Sequence, residues 1–339
     1  MEWAYASYGL SLLADGEIPG LARSAPAPAP DVCVRLNTRP ARNRPGARVR
    51  WYESERLNAH GRPNLVICRT RPDDAFHFVY DDGIEFLIHP DGGEVWCAWP
   101  ESATVADAAV YLRGPILGLV LRLRGIVCLH ASAIAIDDSA IAILGSAGAG
   151  KSTTAAGFVE LGFPLLADDV AALHVRGSRF HVAPAYPRLN LWPDAGEALY
   201  GSAGALPRIA PADGINTAWD KRYRDLEPDR EFHPCALPLA AVYVLDERAA
   251  VAAPRIAALS ARDAFVTLTD GTHVNYALDE SMRATEFRVL GQLVRTVPVR
   301  LVTPHDSPAR VLDLCHTILS DYRRITSAPP CTPSTTTET

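Results

Sequence analysis

The chain has 339 residues, 48% of them hydrophobic and 21% charged, a composition that fits a globular protein long enough for two domains. Its formal net charge of −6 argues against a general binder of nucleic acid or of anionic membrane. The seven cysteines (Cys33, Cys68, Cys97, Cys128, Cys235, Cys315 and Cys331) include no Cys-x-x-Cys pair, which argues against a zinc site or a disulfide framework.

The start, Met1-Glu2-Trp3, is acidic and lacks the basic region of a secretory signal, so a reducing cytoplasm is the expected setting. Residues 3–21 predict an opening strand and turn, and the Pro-rich stretches 24–30 and 39–45 predict exposed connections. Strands are expected over 76–80, 84–89 and 94–99; Asp-Asp-Gly and Pro-Asp-Gly-Gly separate them, which predicts an antiparallel meander. A helix begins near Thr104, with Asp107 completing a variant capping box; Pro115 interrupts or restarts it, and it ends near Gly125. The longest apolar run, 115–121, is broken by Arg122 and Arg124 and is too short to span a bilayer. Further strands are expected over 132–136, 140–144, 165–167, 171–175, 180–183, 240–245 and 299–302. Helices are expected over 261–268, 280–296 and 307–321, with Ser260 and Ser307 as N-caps. The pattern is mixed α/β, with a β-rich module at 1–113, a second module at 114–325 and a disordered tail at 326–339.

Between the strand at 140–144 and a helix expected over 154–161 stands Gly145-Ser146-Ala147-Gly148-Ala149-Gly150-Lys151-Ser152-Thr153, a complete G-x-x-x-x-G-K-[ST] loop. Glycines let backbone N–H groups close around phosphate oxygens, and the helix N-terminus adds partial positive charge. Lys151 is placed to reach the outer phosphates of a nucleotide, and the Ser152 hydroxyl to hold Mg2+. Of 33 basic residues only Lys151 and Lys221 are lysine, and a compact ammonium fits beside a phosphate where a planar guanidinium does not.

Asp168-Asp169 follows the strand at 165–167, and a carboxylate at the end of a strand beside the phosphate-loop strand can reach the metal. Neighbours on an extended segment point opposite ways, so one carboxylate would face Mg2+, with Asp168 the candidate, and the other a substrate hydroxyl. A surface turn is the alternative for this pair, and a structural histidine the alternative for His130.

His130 lies 21 positions before Lys151, and Asp169 lies 18 after it. This arrangement over residues 126–175 resembles the catalytic domain of bacterial HPr kinase/phosphorylase. The resemblance implies a fold related to phosphoenolpyruvate carboxykinase, with Lys151 on the phosphates, Ser152 on Mg2+, Asp169 as the base for a serine hydroxyl and His130 in support. The segment 188–195 lacks that family's Gly-rich, acid-containing stretch, so the resemblance leaves reverse transfer from phosphoserine open. The N-terminal module is similar to HPr-kinase-like proteins found with ribosomal peptide clusters, lasso peptides among them.

Arg188, Lys221, Arg222 and Arg224 read either as a cationic lid over the transferring phosphate or as a solvated loop. The expected activity is ATP-dependent serine phosphorylation of a peptide or small protein, with a ribosomal (lasso) precursor peptide as the candidate that the second resemblance implies, GTP as the alternative nucleotide and self-association left open. A nucleotide-binding regulator and a small-molecule kinase are the alternatives.

Overall fold

The computed structural model describes residues 2–39, 47–209 and 220–327. Strands β1 (Trp3–Ser7), β2 (Leu10–Ala14), β3 (Val32–Arg35), β4 (Arg48–Glu53), β5 (Leu65–Thr70), β6 (Phe76–Tyr80), β7 (Glu85–Ile88) and β8 (Glu94–Ala98) form one sheet in the order β1-β2-β3-β8-β7-β6-β5-β4. The expected meander is β6–β7–β8, antiparallel throughout, with Phe78 opposite Phe86 and Leu87 opposite Trp96. The opening strand is a β1–β2 hairpin whose turn, Tyr8-Gly9, has φ of 57° and 79°. Contacts with distant chain hold that turn: the Tyr8 N–H donates to Pro184 O (2.7 Å), the Tyr8 hydroxyl to Arg113 O (2.8 Å) and Ser7 Oγ to Ala185 O (2.8 Å).

Helix α1 (Val105–Tyr111) starts at the expected capping box, in which Thr104 Oγ1 accepts from the Asp107 N–H and Asp107 returns the bond to the Thr104 N–H. Pro115 does not break the helix. Residues Leu112–Ile116 widen into a single π-turn that absorbs the missing N–H and continues directly into α2 (Leu117–Leu123).

The second half begins with β9 (Val127–Leu129), β10 (Ser132–Ile136), β11 (Ser139–Gly145), α3 (Lys151–Glu160), β12 (Leu165–Ala167), β13 (Ala171–Arg176) and β14 (Arg179–Val182). It continues with β15 (Arg188–Leu191), α4 (Pro193–Tyr200), β16 (Arg222–Asp225), β17 (Leu237–Leu245), β18 (Arg255–Ala258), α5 (Ala261–Asp270), α6 (Glu280–Thr296), β19 (Val299–Thr303) and α7 (Val311–Ser327). The main sheet has the order β12-β10-β11-β17-β14-β13-β9, with β19 also on β17 and β18 on β19, and β15–β16 form a separate ribbon.

Both faces of the central strands are buried, so they read as continuous apolar runs. Ile141 and Ile143 of β11 pack with Phe158 of α3 and Ile318 of α7 in one core. Ala142 and Leu144 join the other core, which contains Leu119, Leu290, Tyr8 and Phe78 and so runs unbroken into the N-terminal sheet. The whole is mixed α/β with a β-rich N-terminal part.

Three expectations need correction. Strand β12 does not lie beside the phosphate-loop strand; β10 stands between them, antiparallel to both, so β11 and β12 run the same way and end at the same edge. Ser260 caps α5 by accepting from the Asp263 N–H, but Ser307 makes no side-chain cap and precedes a 3-10 turn. Helix α7 extends through Thr326 and Ser327, so the tail assigned to 326–339 begins as helix, and the rest of it lies outside the described residues, as does most of the Pro-rich stretch 39–45.

Candidate functional site

Strand β11 runs into Gly145, Ala149 N–H turns back to Ser146 O (3.2 Å), and Gly150, at φ +101°, caps α3. Helix α3 starts at Lys151, three residues before the expected 154, so Ser152 and Thr153 lie in its first turn. A Cβ on Gly150 would stand 2.8 Å from Arg248 Nη2, so both the backbone and the space require glycine there. Ser146, Ala147 and Gly148 are exposed at the loop tip, and no side chain caps the helix, which leaves its first N–H groups for an anion. The Lys151 ammonium is buried and donates to Gly145 O (2.9 Å) and Ser146 O (3.1 Å). Burial pushes its pKa down, while Asp169 and Asp168 oppose the shift.

Asp168 joins four elements. Its Oδ1 accepts from Ser152 Oγ of α3 and Ser132 Oγ of β10, each at 2.8 Å, and its Oδ2 accepts from the Asn190 N–H of β15 at 3.0 Å. Burial raises its pKa, the Asn190 N–H opposes that, and the Asp169 charge adds to it.

Asp169 turns the other way, though not by extended alternation. Its φ is +71°, in a tight turn closed by the Val170 N–H on Asp168 O (2.9 Å). Its Oδ1 lies 3.4 Å from His130 Nδ1, which is 3.0 Å from the Asp169 carbonyl oxygen. Burial pushes the Asp169 carboxyl up, but the surrounding positive charge, that of Lys221 foremost and of Lys151 with it, holds it below the usual carboxylate value. Both lysines of the chain therefore act on one carboxylate. The His273 ring stacks on that of His130 at 5.7 Å, and burial pushes its pKa down to about 4, which leaves it neutral near pH 7.

The other candidate cations separate. Arg188 pairs with Asp225 (2.6 Å) over the Tyr223 ring, Arg222 with Asp220 (2.9 Å), and Arg224 with Glu160 (2.5 Å) and Glu231 (2.7 Å). Of the expected cationic lid, Lys221 alone both faces Asp169 electrostatically and lines the cleft beside it. Sequence reasoning missed Ser132, Asn190, Arg248 and His273; Ser132 stands two residues from His130, whereas no local pattern marks the other three.

Beside Asp169 and Lys221 opens a cleft of about 1020 Å³. Tyr52, Glu55 and Asn58 wall it from β4 and the turn toward β5, and Arg113, Tyr186 and Asn190 wall it from the side of Asp169. No phosphate-loop residue lines it.

Among the described residues, no group of three or more His, Cys, Asp or Glu is arranged to hold a metal, and no helix is long and apolar enough to cross a membrane. Ser152 Oγ and Asp168 Oδ1 put a hydroxyl and a carboxylate in direct contact, a donor pair that could hold a hard cation such as Mg2+ together with other oxygens.

No family model matches the chain, and no curated protein matches it. Among solved structures that match is the Hpr(Ser) kinase/phosphatase from Coxiella burnetii, 14% identical, covering 59% of this chain and 99% of that one, with a TM-score of 0.32.

Proposed function

We propose that the protein is an ATP-dependent phosphotransferase that moves the γ-phosphoryl group to a serine hydroxyl of a peptide or small protein. The observation that carries this reading is the division of labour in Asp168-Asp169. One carboxylate is bonded to the phosphate-loop serine, while its neighbour is turned away among cations toward an open cleft. A binding-only regulator has use for the first carboxylate and none for the second.

The N–H groups at the start of α3, with Lys151, would cradle the phosphates. Ser152 and Asp168 would hold Mg2+, which would supply positive charge against that developing on the transferring group. The acceptor hydroxyl would lie against Asp169, with its oxygen forming the new bond to phosphorus as the bond to the ADP oxygen breaks. Asp169 takes the hydroxyl proton and later releases it to solvent. Its lowered pKa keeps it ionised and ready at neutral pH. A cleft of about 1020 Å³ at the upper end of small-ligand pockets, walled partly by the N-terminal sheet, favours a peptide over a small metabolite.

The test is Asp169→Asn. Bound fluorescent ATP should be unchanged, while phosphate incorporation into a serine peptide, followed by mass spectrometry, falls by at least ~10²-fold. Undiminished transfer in that variant would remove Asp169 from the base role.

A further inference from the structure

Strands β12, β11, β17 and β19 all run the same way, so the segments that follow them meet along one edge of the sheet. Strand order divides that edge at the phosphate loop. On one flank stand Asp168 and Asp169, after β12; on the other stand Asp246-Glu247-Arg248, after β17, and Pro304-His305-Asp306, after β19. Ligands of open α/β sheets bind outside the carboxyl ends of the strands. The phosphate loop and the first flank carry the proposed chemistry, and the second flank has no part in it.

That second flank is a tied shelf. The Ala249 N–H donates to Pro304 O (3.1 Å) and the Asp306 N–H to Ala249 O (3.0 Å), which joins the two segments. Arg248 lies half-buried between the shelf and the loop. Its Nη1 donates to His305 O (3.3 Å), and its Nη2 stands 2.8 Å from the place that a Cβ on Gly150 would take. Backbone thus holds the guanidinium by its edge, and a planar guanidinium stacks on flat π-systems through its face.

Direction and charge decide what the shelf receives. With the transferring phosphate beside Asp169, the rest of a nucleotide leaves the loop on the side away from Asp169, where strand order puts Arg248. The same two segments expose Asp246, Glu247 and Asp306. Three carboxylates oppose further phosphate but accept from an uncharged group that carries hydroxyls. We infer that this flank holds the nucleoside end of the nucleotide, with the Arg248 guanidinium stacked on the base and the ribose hydroxyls donating to the neighbouring carboxylates. The inference rests on the phosphotransfer reading above, which sets the direction in which the nucleotide lies.

The experiment measures binding to the full chain by titration calorimetry in Mg2+. One ligand is a non-hydrolysable ATP analogue; the other is inorganic tripolyphosphate, which has the phosphates and no nucleoside. The native protein should bind the analogue at least ~5-fold more tightly, the scale of one stacked base. Arg248→Ala should remove most of that advantage while tripolyphosphate binds as before, which also shows that the variant is folded with its loop intact. Arg248→Lys keeps the charge and loses the plane, so it should bind the analogue about as weakly as Arg248→Ala.

A native protein that binds the two ligands equally overturns the inference without any variant. Equal loss of both ligands in an Arg248→Ala protein that melts cooperatively also overturns it, because Arg248 is then a phosphate contact or a support for the loop. So do an unchanged affinity for the analogue in that variant and a full recovery in Arg248→Lys. Failure of the phosphotransfer reading looks different: the analogue binds through Arg248, yet no phosphate reaches a serine peptide from ATP.

Discussion

Asp168 and Asp169 are adjacent and titrate in opposite directions, because burial dominates at the first and surrounding cations dominate at the second. A buried carboxylate with a raised pKa is a cost in the nucleotide-free protein. Asp168→Asn should therefore leave its melting temperature unchanged or raise it by up to about 3 °C, and should abolish the further rise that Mg-ATP gives the native protein. Scanning calorimetry with and without Mg-ATP reads both, and a large loss in the nucleotide-free variant would make Asp168 a structural keystone only. Lys151→Ala should weaken binding of labelled ATP and eliminate transfer; full activity would refute the phosphate role. His273 supplies a pH signature. Its folded pKa of about 4 lies below the ordinary 6.5, so the unfolded chain binds the extra proton and stability falls as pH drops from 6.5 toward 4. Urea midpoints across that window should decline in the native protein and decline less in His273→Gln. At this scale Lys151, Ser152, Asp168, Asp169 and His130 were legible because they sit in one continuous stretch of 40 residues. Arg248 and His273 were not, since only folding brings them to that stretch.

At the scale of elements, apolar runs bounded by turn residues could be read directly, and strands Phe76–Tyr80 and Ser132–Ile136 and helix Glu280–Thr296 have the expected bounds. Two of the missed strands, β3 and β4, have little pattern of their own, whereas β5 alternates between buried and half-buried residues without a turn signal that marked its start. Strand β4 is exposed along almost its whole length, and β3 spans four residues held by parallel neighbours on both sides. Pro115 misled for a specific reason: proline forbids one α-helical bond, but a π-turn has no use for it, so a predicted break became a bulge that brings the Gly114 backbone beside Asp169. Helix α2 is clamped to α6 by the buried pair Arg122–Glu286. Glu286→Ala should cost about 3–5 kcal/mol by stranding Arg122, and Arg122→Met in the same chain should recover most of it. Urea denaturation of the two singles and the double measures this, and strict additivity would mean that the two charges do not interact.

At the scale of the molecule, composition pointed to two modules, and the chain does build two large sheets, but it buries them in a shared core. Hydrophobic patterning reports which face of an element is buried and is silent on which element covers it, so the join could not be read from the sequence. Residues 114–327 expressed alone should lack a cooperative thermal transition, because that core would lose its N-terminal half; a sharp melt with dispersed NMR resonances would show the module to be independent. The hairpin turn at Tyr8-Gly9 adds a consequence in time. Its anchors include Ala185, 178 residues downstream of Ser7, so during synthesis this hairpin leaves the ribosome about 10–35 s before the backbone that holds it. Throughout that interval the nascent chain carries an unanchored, apolar β-edge, which makes this hairpin a segment for a chaperone to cover.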